Sequence, residues 1–282
     1  MSINTVGIIL RQGSEEPVTI AAELAEWFAR HSVCTVIDEV RPGLDLLVIL
    51  GGDGTLLHVA DQASRLGIPV VGINLGDLGF LTEVAKDERF QALTAILQGE
   101  FRIEKRMMLK VRLAGAHEKT EWQYALNDVV VSKGKLGRLL ALATWADEEL
   151  ITTYRADGLI FSTPTGATAY NLSAGGPIVH PSLPSILVTP ICPFMLDSRP
   201  VLLAPGTRLA SRLVAYDGGE VKIIIDGRIV WDMTDNHVLE IMASERTLQL
   251  IGSSRQGYFE ILRNKLGWGS LSRSRRFASP LE

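Results

Sequence analysis

Along the first hundred residues the apolar positions alternate between two periods. Residues 5–10 (TVGIIL) make a continuous apolar run of strand length, and residues 17–30 (PVTIAAELAEWFAR) set Ile20, Leu24, Trp27 and Phe28 at helical steps. Residues 33–38 (VCTVID) return to a strand. Residues 44–50 (LDLLVIL) read as a strand buried on both faces, 55–67 as a helix ended by Gly67, and 68–74 (IPVVGIN) as a strand. One more helix is predicted over 86–98, closed by Gly99. Alternating strands and helices call for a parallel sheet with helices on its faces.

From residue 101 the pattern changes. Residues 101–115, 121–134, 139–150, 207–218, 220–232, 237–245 and 247–253 are strand-like stretches separated by turn residues, which predicts a mainly antiparallel β unit. Helical spacing returns over 256–266 through Phe259, Leu262 and Leu266, as expected of a helix that packs back on the first unit. The expected division is an α/β unit at 1–100, a β-rich unit at 101–254, the returning helix at 255–270 and a polar, basic, disordered tail at 271–282.

Composition narrows the function classes. With 46% hydrophobic and 21% charged residues among 282, the chain can bury a proper core, which excludes general disorder. A net charge of −4 gives no global reason to expect nucleic acid as a partner. No apolar run approaches the ~20 residues of a spanning helix, and the N-terminus lacks the basic and apolar regions of an export signal. The expected location is the cytoplasm, with no membrane contact. There Cys34 and Cys192 are expected to be small buried hydrophobes without a disulfide. His31, His58, His117, His180 and His237 are scattered and show no metal-ligand spacing, so no protein metal cage is expected.

Three segments carry candidate chemistry. Residues 51–55 (GGDGT) follow a strand at its carboxyl end and open a helix, where open α/β sheets place ligands. Gly51, Gly52 and Gly54 permit close approach to backbone N–H groups that can hold phosphate oxygens, and Thr55 can cap the helix. Asp53 is the odd member, since a carboxylate beside a phosphate repels it unless it takes a proton or binds a cation. Its plain alternative is a helix cap in a tight turn. The second segment, 74–83 (NLGDLGFLTE), follows the next strand; Asn74 can fix a hydroxyl or amide, and Gly76 joins Gly51, Gly52, Thr55 and Asn74 as a phosphate or ATP candidate. Phe80 suits stacking on a nucleobase, or else plugs the core beneath the loop. The third, 155–181, sets Ser162, Thr163, Thr165, Thr168, Tyr170, Asn171 and Ser173 among small residues, and Thr165 and Gly166 can open a short helix. That density of hydroxyls reads as a polar-ligand surface.

In order along about nine tenths of the chain, GGDGT (51–55), NLGDLGFL (74–81), LNDVVV (126–131), ADGLIFSTPTGATAYNLSAGGPIVHP (156–181), PICPFMLDSRP (190–200), IDGR (225–228) and LRNKLGWG (262–269) resemble the signature blocks of the bacterial NAD kinases. The resemblance implies a Rossmann-like parallel α/β domain followed by an antiparallel β domain. It implies transfer of a phosphoryl group from ATP, or in some members from polyphosphate, to the 2′-hydroxyl of the adenosine ribose of NAD, with Mg²⁺ or Mn²⁺ held through the phosphates. It also implies a homodimer or homotetramer.

Carried across by position, Asp53 is the general base, Gly54 faces the adenosine ribose and Phe80 borders the adenine. Asn127 and Asp128 hold substrate hydroxyls. Thr168, Ala169, Tyr170 and Ser173, with Thr165 beside them, form the adenine and amide-binding stretch, and Asp157 lies near the nicotinamide. Three positions depart from the family pattern: Asp128 is one methylene shorter than the usual glutamate, Phe194 replaces a common histidine, and Arg228 replaces a frequent glutamine. Two rivals share parts of this pattern. A diacylglycerol-kinase-type lipid kinase would need an apolar entry that the hydroxyl-rich 162–173 stretch does not offer, and a catalytically silent nucleotide sensor would have lost Asp53.

Overall fold

The computed structural model describes residues 3–268 except 77–78, 116–118, 135–137, 196, 216–218 and 253–256. The tail at 271–282, expected to be disordered, and His117 lie outside the described residues. In chain order the elements of the first part are β1 (Thr5–Leu10), α1 (Glu16–Arg30), β2 (Cys34–Ile37), β3 (Leu46–Leu50), α2 (Asp53–Leu66), β4 (Val70–Asn74), β5 (Val84–Ala85) and α3 (Arg89–Leu97). Then come β6 (Ile103–Ala114), β7 (Gln123–Ala125), β8 (Asp128–Lys133), β9 (Leu140–Ala146), β10 (Glu149–Ala156) and β11 (Gly158–Ser162). A short α4 (Tyr170–Ser173) precedes β12 (Ile186–Ile191), β13 (Val201–Leu203), β14 (Leu209–Ala215), β15 (Val221–Ile225), β16 (Arg228–Asp232), β17 (Val238–Ile251) and α5 (Tyr258–Leu266).

The alternating first part forms the expected parallel sheet. β1 pairs in parallel with β2 and β3, and β3 with β4, so all four carboxyl ends lie on one edge. β3 and β4 are buried along their whole length because helices cover both faces. α1 and α3 pack Ile20, Leu24, Phe28, Leu93 and Ile96 on one face, and α2 packs Leu56, Val59, Ala60 and Ala63 on the other. Gly67 ends α2 at φ 67°, a left-handed C-cap that costs glycine little.

β17 continues this sheet into the antiparallel part. One of its edges is occupied along its length by β6; the other pairs with β14 at 238–241 and with β4, in parallel, at 250–251. A register shift against β6 between Ala243 and Thr247 bends the strand between its two partners. A second, six-stranded antiparallel sheet, ordered β13-β12-β11-β8-β15-β16, packs on this half through Leu109, Val111, Leu142, Tyr154, Phe161, Val188, Ile223 and Ile241.

Local chemistry explains where the pattern was too coarse. Residues 139–150 are a hairpin rather than one strand, turning at Asp147 with φ 52°. Residues 220–232 also fold back, at Asp226 and Gly227 with φ 46° and 80°, the two left-handed positions that Asp-Gly supplies to a tight hairpin. β11 hides inside the hydroxyl-rich third segment and is buried along its length. The last helix buries Ile261 and Leu262, whereas Phe259 points outward and sits 5.7 Å from the His180 ring. Both cysteines are exposed, contrary to expectation: Cys34 lies on edge strand β2, and Cys192 follows β12 at φ 45°.

β17 contributes Leu248 and Leu250, both fully buried, to the core under α2. Leu250→Ala is expected to lower unfolding free energy by roughly 2–5 kcal/mol, read by urea denaturation; a loss below ~1 kcal/mol would show that this junction carries little of the stability.

Candidate active site

The turn after β3 and the turn after β4 are tied together by one carboxylate. Asp53 is the first residue of α2, whose N-cap is Gly52 and which has no side-chain cap, so Thr55 lies inside the helix and does not cap it. Asp53 does not cap the helix either. Its Oδ2 accepts the Phe80 N–H at 2.9 Å, and its Oδ1 accepts the N–H groups of Leu81 and Thr82 and the Thr82 hydroxyl, each at 3.0 Å. A carboxylate offers about four acceptor sites, two per oxygen. Oδ2 therefore keeps one lone pair.

Gly79 is the residue this clamp requires. A Cβ there would lie 2.0 Å from Asp53 Oδ1 and 2.4 Å from the Thr82 hydroxyl. By contrast, Cβ atoms at Gly52 and Gly54 would meet nothing within 4 Å, which leaves that backbone open to a ligand. Asn74 closes the second turn: Oδ1 accepts the Gly76 N–H at 2.7 Å and Nδ2 donates to the Thr82 hydroxyl at 2.8 Å. Both ends of its amide are thus engaged within the protein.

Between the two turns lies a cleft of about 230 Å³, bordered by Gly51, Gly52, Asp53, Asn74, Gly76 and Gly79, with Arg11 and Lys265 entering from elsewhere in the chain. Gly54 and Thr55 instead border a neighbouring cavity of about 440 Å³ with Gln12, Asp38 and His58. Phe80 is half-buried in the clamped loop.

A second carboxylate does the same work in the antiparallel part. Asp226, at the β15–β16 turn, accepts the N–H groups of Leu126 (2.7 Å), Asn127 (2.8 Å) and Asp128 (3.1 Å). The Thr163 hydroxyl donates to the Leu126 carbonyl at 2.6 Å, and the Ser162 hydroxyl and the Thr163 N–H both donate to the Asn127 carbonyl. Asn171 accepts the Thr189 hydroxyl at 2.6 Å. Ser162, Thr163 and Asn171 are thereby consumed as internal locks. Thr168, Ala169 and Ser173 remain at least partly accessible, Tyr170 is 46% exposed, and Thr165 is buried at the start of the helical turn over 166–168. Leu126 shares one apolar cluster with Leu56 and Leu81, so both clamped segments are anchored on the same core.

Asn127, Asp128 and the 165–168 turn are thus brought together, and the Asn127 side-chain amide has no hydrogen-bond partner among the described residues. Asp157 is not brought to them. It pairs with Lys133 at 2.5 Å, at the opposite end of β8 from Asp128 and roughly 17 Å along the strand. Asp128 is buried, and its carboxyl is pushed up to about 7, first by burial and then by the nearby Asp226 charge. Burial raises Asp226 as well, opposed by its three N–H donors and by Arg228. Near neutrality Asp128 can accordingly donate or accept a hydrogen bond.

The sequence reading missed Asp226, Thr82, Arg11 and Lys265. The Asp-Gly hairpin signal locates Asp226, but nothing local in the sequence says that its carboxylate reaches back to residue 126. Among the described residues no group of three or more His, Cys, Asp or Glu side chains gathers into a metal cage.

Comparison with known proteins adds to this geometry. Residues 35–101 match the family model of the ATP-NAD kinase N-terminal domain, and residues 126–253 that of the ATP-NAD kinase C-terminal domain. The chain is 40% identical over 268 residues to the NAD kinase of Geotalea daltonii, spanning 89% of this chain and 94% of that protein. It is also 40% identical to the NAD kinase of Solibacter usitatus over 285 residues, 95% of this chain and 98% of that protein. Among solved structures, yeast NADH kinase complexed with NADH superimposes with a TM-score of 0.87 at 25% identity, covering 99% of this chain and 91% of that one. An NAD kinase from Archaeoglobus fulgidus in complex with ATP shares the fold, with a TM-score of 0.70 at 22% identity, covering 93% and 97%.

The raised Asp128 has a definite consequence for stability. Between 3.8 and about 7 the folded chain holds a proton that the unfolded chain has lost, so this group makes stability fall as pH rises through that window. Asp128→Asn removes the effect. Relative to wild type, the variant is expected to gain on the order of 2–4 kcal/mol between pH 4 and pH 8, read by urea denaturation at each pH; parallel pH profiles would contradict it. Gly79→Ala forces the clamp open and is expected to lower the melting temperature by several degrees, on the order of 4 °C. An unchanged melt would show the loop to be free of Asp53.

Proposed function

The chain belongs to the NAD kinase family, and we propose that the cleft between its Gly51–Thr55 and Asn74–Thr82 turns is where the phosphoryl group is transferred. The protein phosphorylates the 2′-hydroxyl of the adenosine ribose of NAD with ATP, giving NADP and ADP. The observation that carries the assignment of the site is the Asp53 carboxylate, fixed by four donors and bordering the cleft with one lone pair to spare.

Phosphoryl transfer passes through a loose transition state, so the protein mainly positions two nucleotides and neutralises charge. Gly52 and Gly54 leave backbone open to ribose and phosphate, at the uncapped start of α2, where the helix dipole favours negative charge. Asp53 receives the proton of the 2′-hydroxyl on its free Oδ2 lone pair. Proton loss late in such a transfer asks little of the base. Asn127 and Asp128 bind ribose hydroxyls. Thr165, Thr168, Ala169, Tyr170 and Ser173 bind the adenine and the amide, with Phe80 at the adenine edge. Asp157, distant from the Asp128 end, serves the nicotinamide end of an extended dinucleotide. Gly51, Thr55, Asn74 and Gly76 shape the phosphate side.

A divalent cation, Mg²⁺ or Mn²⁺, belongs to this reading as a companion of ATP. Asp53 is nearly saturated by protein donors, so the donor set fits a cation held by phosphate oxygens rather than by a protein cage. When bound it neutralises phosphate charge. Self-association as a homodimer or homotetramer fits the apolar edges of the second sheet, where Leu202 and Ile229 are exposed, and Phe194 is exposed in the connection between β12 and β13. Among the described residues no helix is long and apolar enough to cross a membrane, in keeping with a cytoplasmic location for the reaction.

Asp53→Asn tests the base. With NAD and ATP varied and NADP read through an NADP-specific dehydrogenase, kcat is expected to fall by about 10²–10⁴-fold while NAD binding persists. Thr82→Val removes one clamp donor and keeps the carboxylate, and is expected to cost far less turnover. Near-normal turnover in Asp53→Asn would remove Asp53 from the proton transfer. Equal losses in the two variants would reduce Asp53 to a loop clamp.

A further inference from the structure

Two cations border the cleft without a partner among the described residues. Arg11 follows β1 and Lys265 lies in the last turn of α5, more than two hundred residues apart in the chain, yet both border the space in front of Gly51, Gly52 and Asp53. Neither makes an ion pair or side-chain hydrogen bond with any described residue. Several cations elsewhere are matched, among them Lys86 with Glu16, Arg89 with Glu23, Lys133 with Asp157 and Arg246 with Asp61; what sets Arg11 and Lys265 apart is that both border one cleft beside Gly51, Gly52 and Asp53. Asp53 does not neutralise the pair, because its carboxylate is turned toward the donors of residues 80–82.

The means of holding Lys265 there are built into the fold. α5 buries Ile261 and Leu262 and ends at Gly267 with φ 67°, so the exposed Lys265 is carried on an anchored helix rather than on a loose tail. At its other end the Tyr258 hydroxyl donates to the Val179 carbonyl at 3.4 Å, and the Tyr258 ring lies 4.8 Å from that of His180. The helix therefore runs from the third polar segment to the Gly51–Asp53 turn.

We infer that Arg11 and Lys265 form a two-cation clamp for the phosphate chain of the donor nucleoside triphosphate, beside the Gly51–Asp53 turn. The inference rests on the reading of this cleft as the transfer site. A lone lysine is a point charge with three rotatable donors, whereas a guanidinium offers a planar fork that matches two phosphate oxygens. One of each, on different elements, suits a polyanion that must be held while its terminal group departs. An acceptor dinucleotide carries a diphosphate of related chemistry, and the experiment separates the two sources.

Arg11→Ala, Lys265→Ala and Lys265→Arg would be compared with wild type in two assays: calorimetric binding of adenylyl imidodiphosphate with Mg²⁺, and steady-state NADP formation with ATP and NAD varied separately. Both side chains are exposed, so folding should survive, with thermal melting as the control. Each alanine variant is expected to weaken binding of the triphosphate analogue by about tenfold or more and to raise KM for ATP in step, with KM for NAD little changed. Lys265→Arg should recover most of the loss, and the affinity of wild type should fall more steeply with salt than that of the variants. Unchanged analogue affinity in both alanine variants would overturn the clamp, and so would a rise confined to KM for NAD. If wild type forms no NADP while the substitutions still weaken analogue binding, the transfer assignment fails and the clamp stands.

Discussion

A carboxylate that accepts hydrogen bonds from consecutive backbone N–H groups is the constraint from which this site is built. Asp53 gathers residues 80–82 and Asp226 gathers residues 126–128, each from a segment remote in sequence. Backbone donors at a strand end must find acceptors or stay in water. Here they find charged acceptors, and the loops that would otherwise be free to move are fixed beside a cleft. Both clamps rest on one core, since Leu81 and Leu126, one from each clamped segment, enter the same apolar cluster with Leu56. Packing anchors the segments, and the carboxylates orient them.

The same economy shapes the sheet. A single strand, β17, gives one edge to β6 and divides the other between β14 and β4, so the parallel and antiparallel parts share backbone hydrogen bonds rather than a thin linker. The bulge between Ala243 and Thr247 allows one strand to follow two directions of sheet. What lies at the cleft is then braced from both parts, with α5 crossing between them.

Much of this was legible in the residues. The parallel first part followed from the alternation of periods, since strands such as 44–50 are apolar on both faces and helices such as 17–30 on one. GGDGT marked the turn that borders the cleft because strand, glycine turn and helix occur in that order. The role of the glycines was only half legible: Gly54 is open as expected, but Gly79 is required by an Asp53 contact that crosses 26 residues of chain. Hydroxyl density in the third segment pointed to polar chemistry, yet Ser162, Thr163 and Asn171 are spent within the protein. Side-chain reach across the fold is what a linear pattern does not carry, and Asp226, Thr82, Arg11 and Lys265 act by that reach. Strand β11 escaped notice because its apolar run, Leu159 to Phe161, is short and is bracketed by Gly158 and the hydroxyl-rich residues that follow.

If the loops fixed by these carboxylates place the acceptor ribose as proposed, only one of its two neighbouring hydroxyls meets the free lone pair of Asp53. The direct test is the position of the new ester in the product of wild-type enzyme, NAD, ATP and Mg²⁺, read by phosphorus NMR. A single phosphomonoester on the 2′-oxygen is the predicted result. A mixture of 2′- and 3′-esters, or no ester at all with NAD bound, would contradict the account.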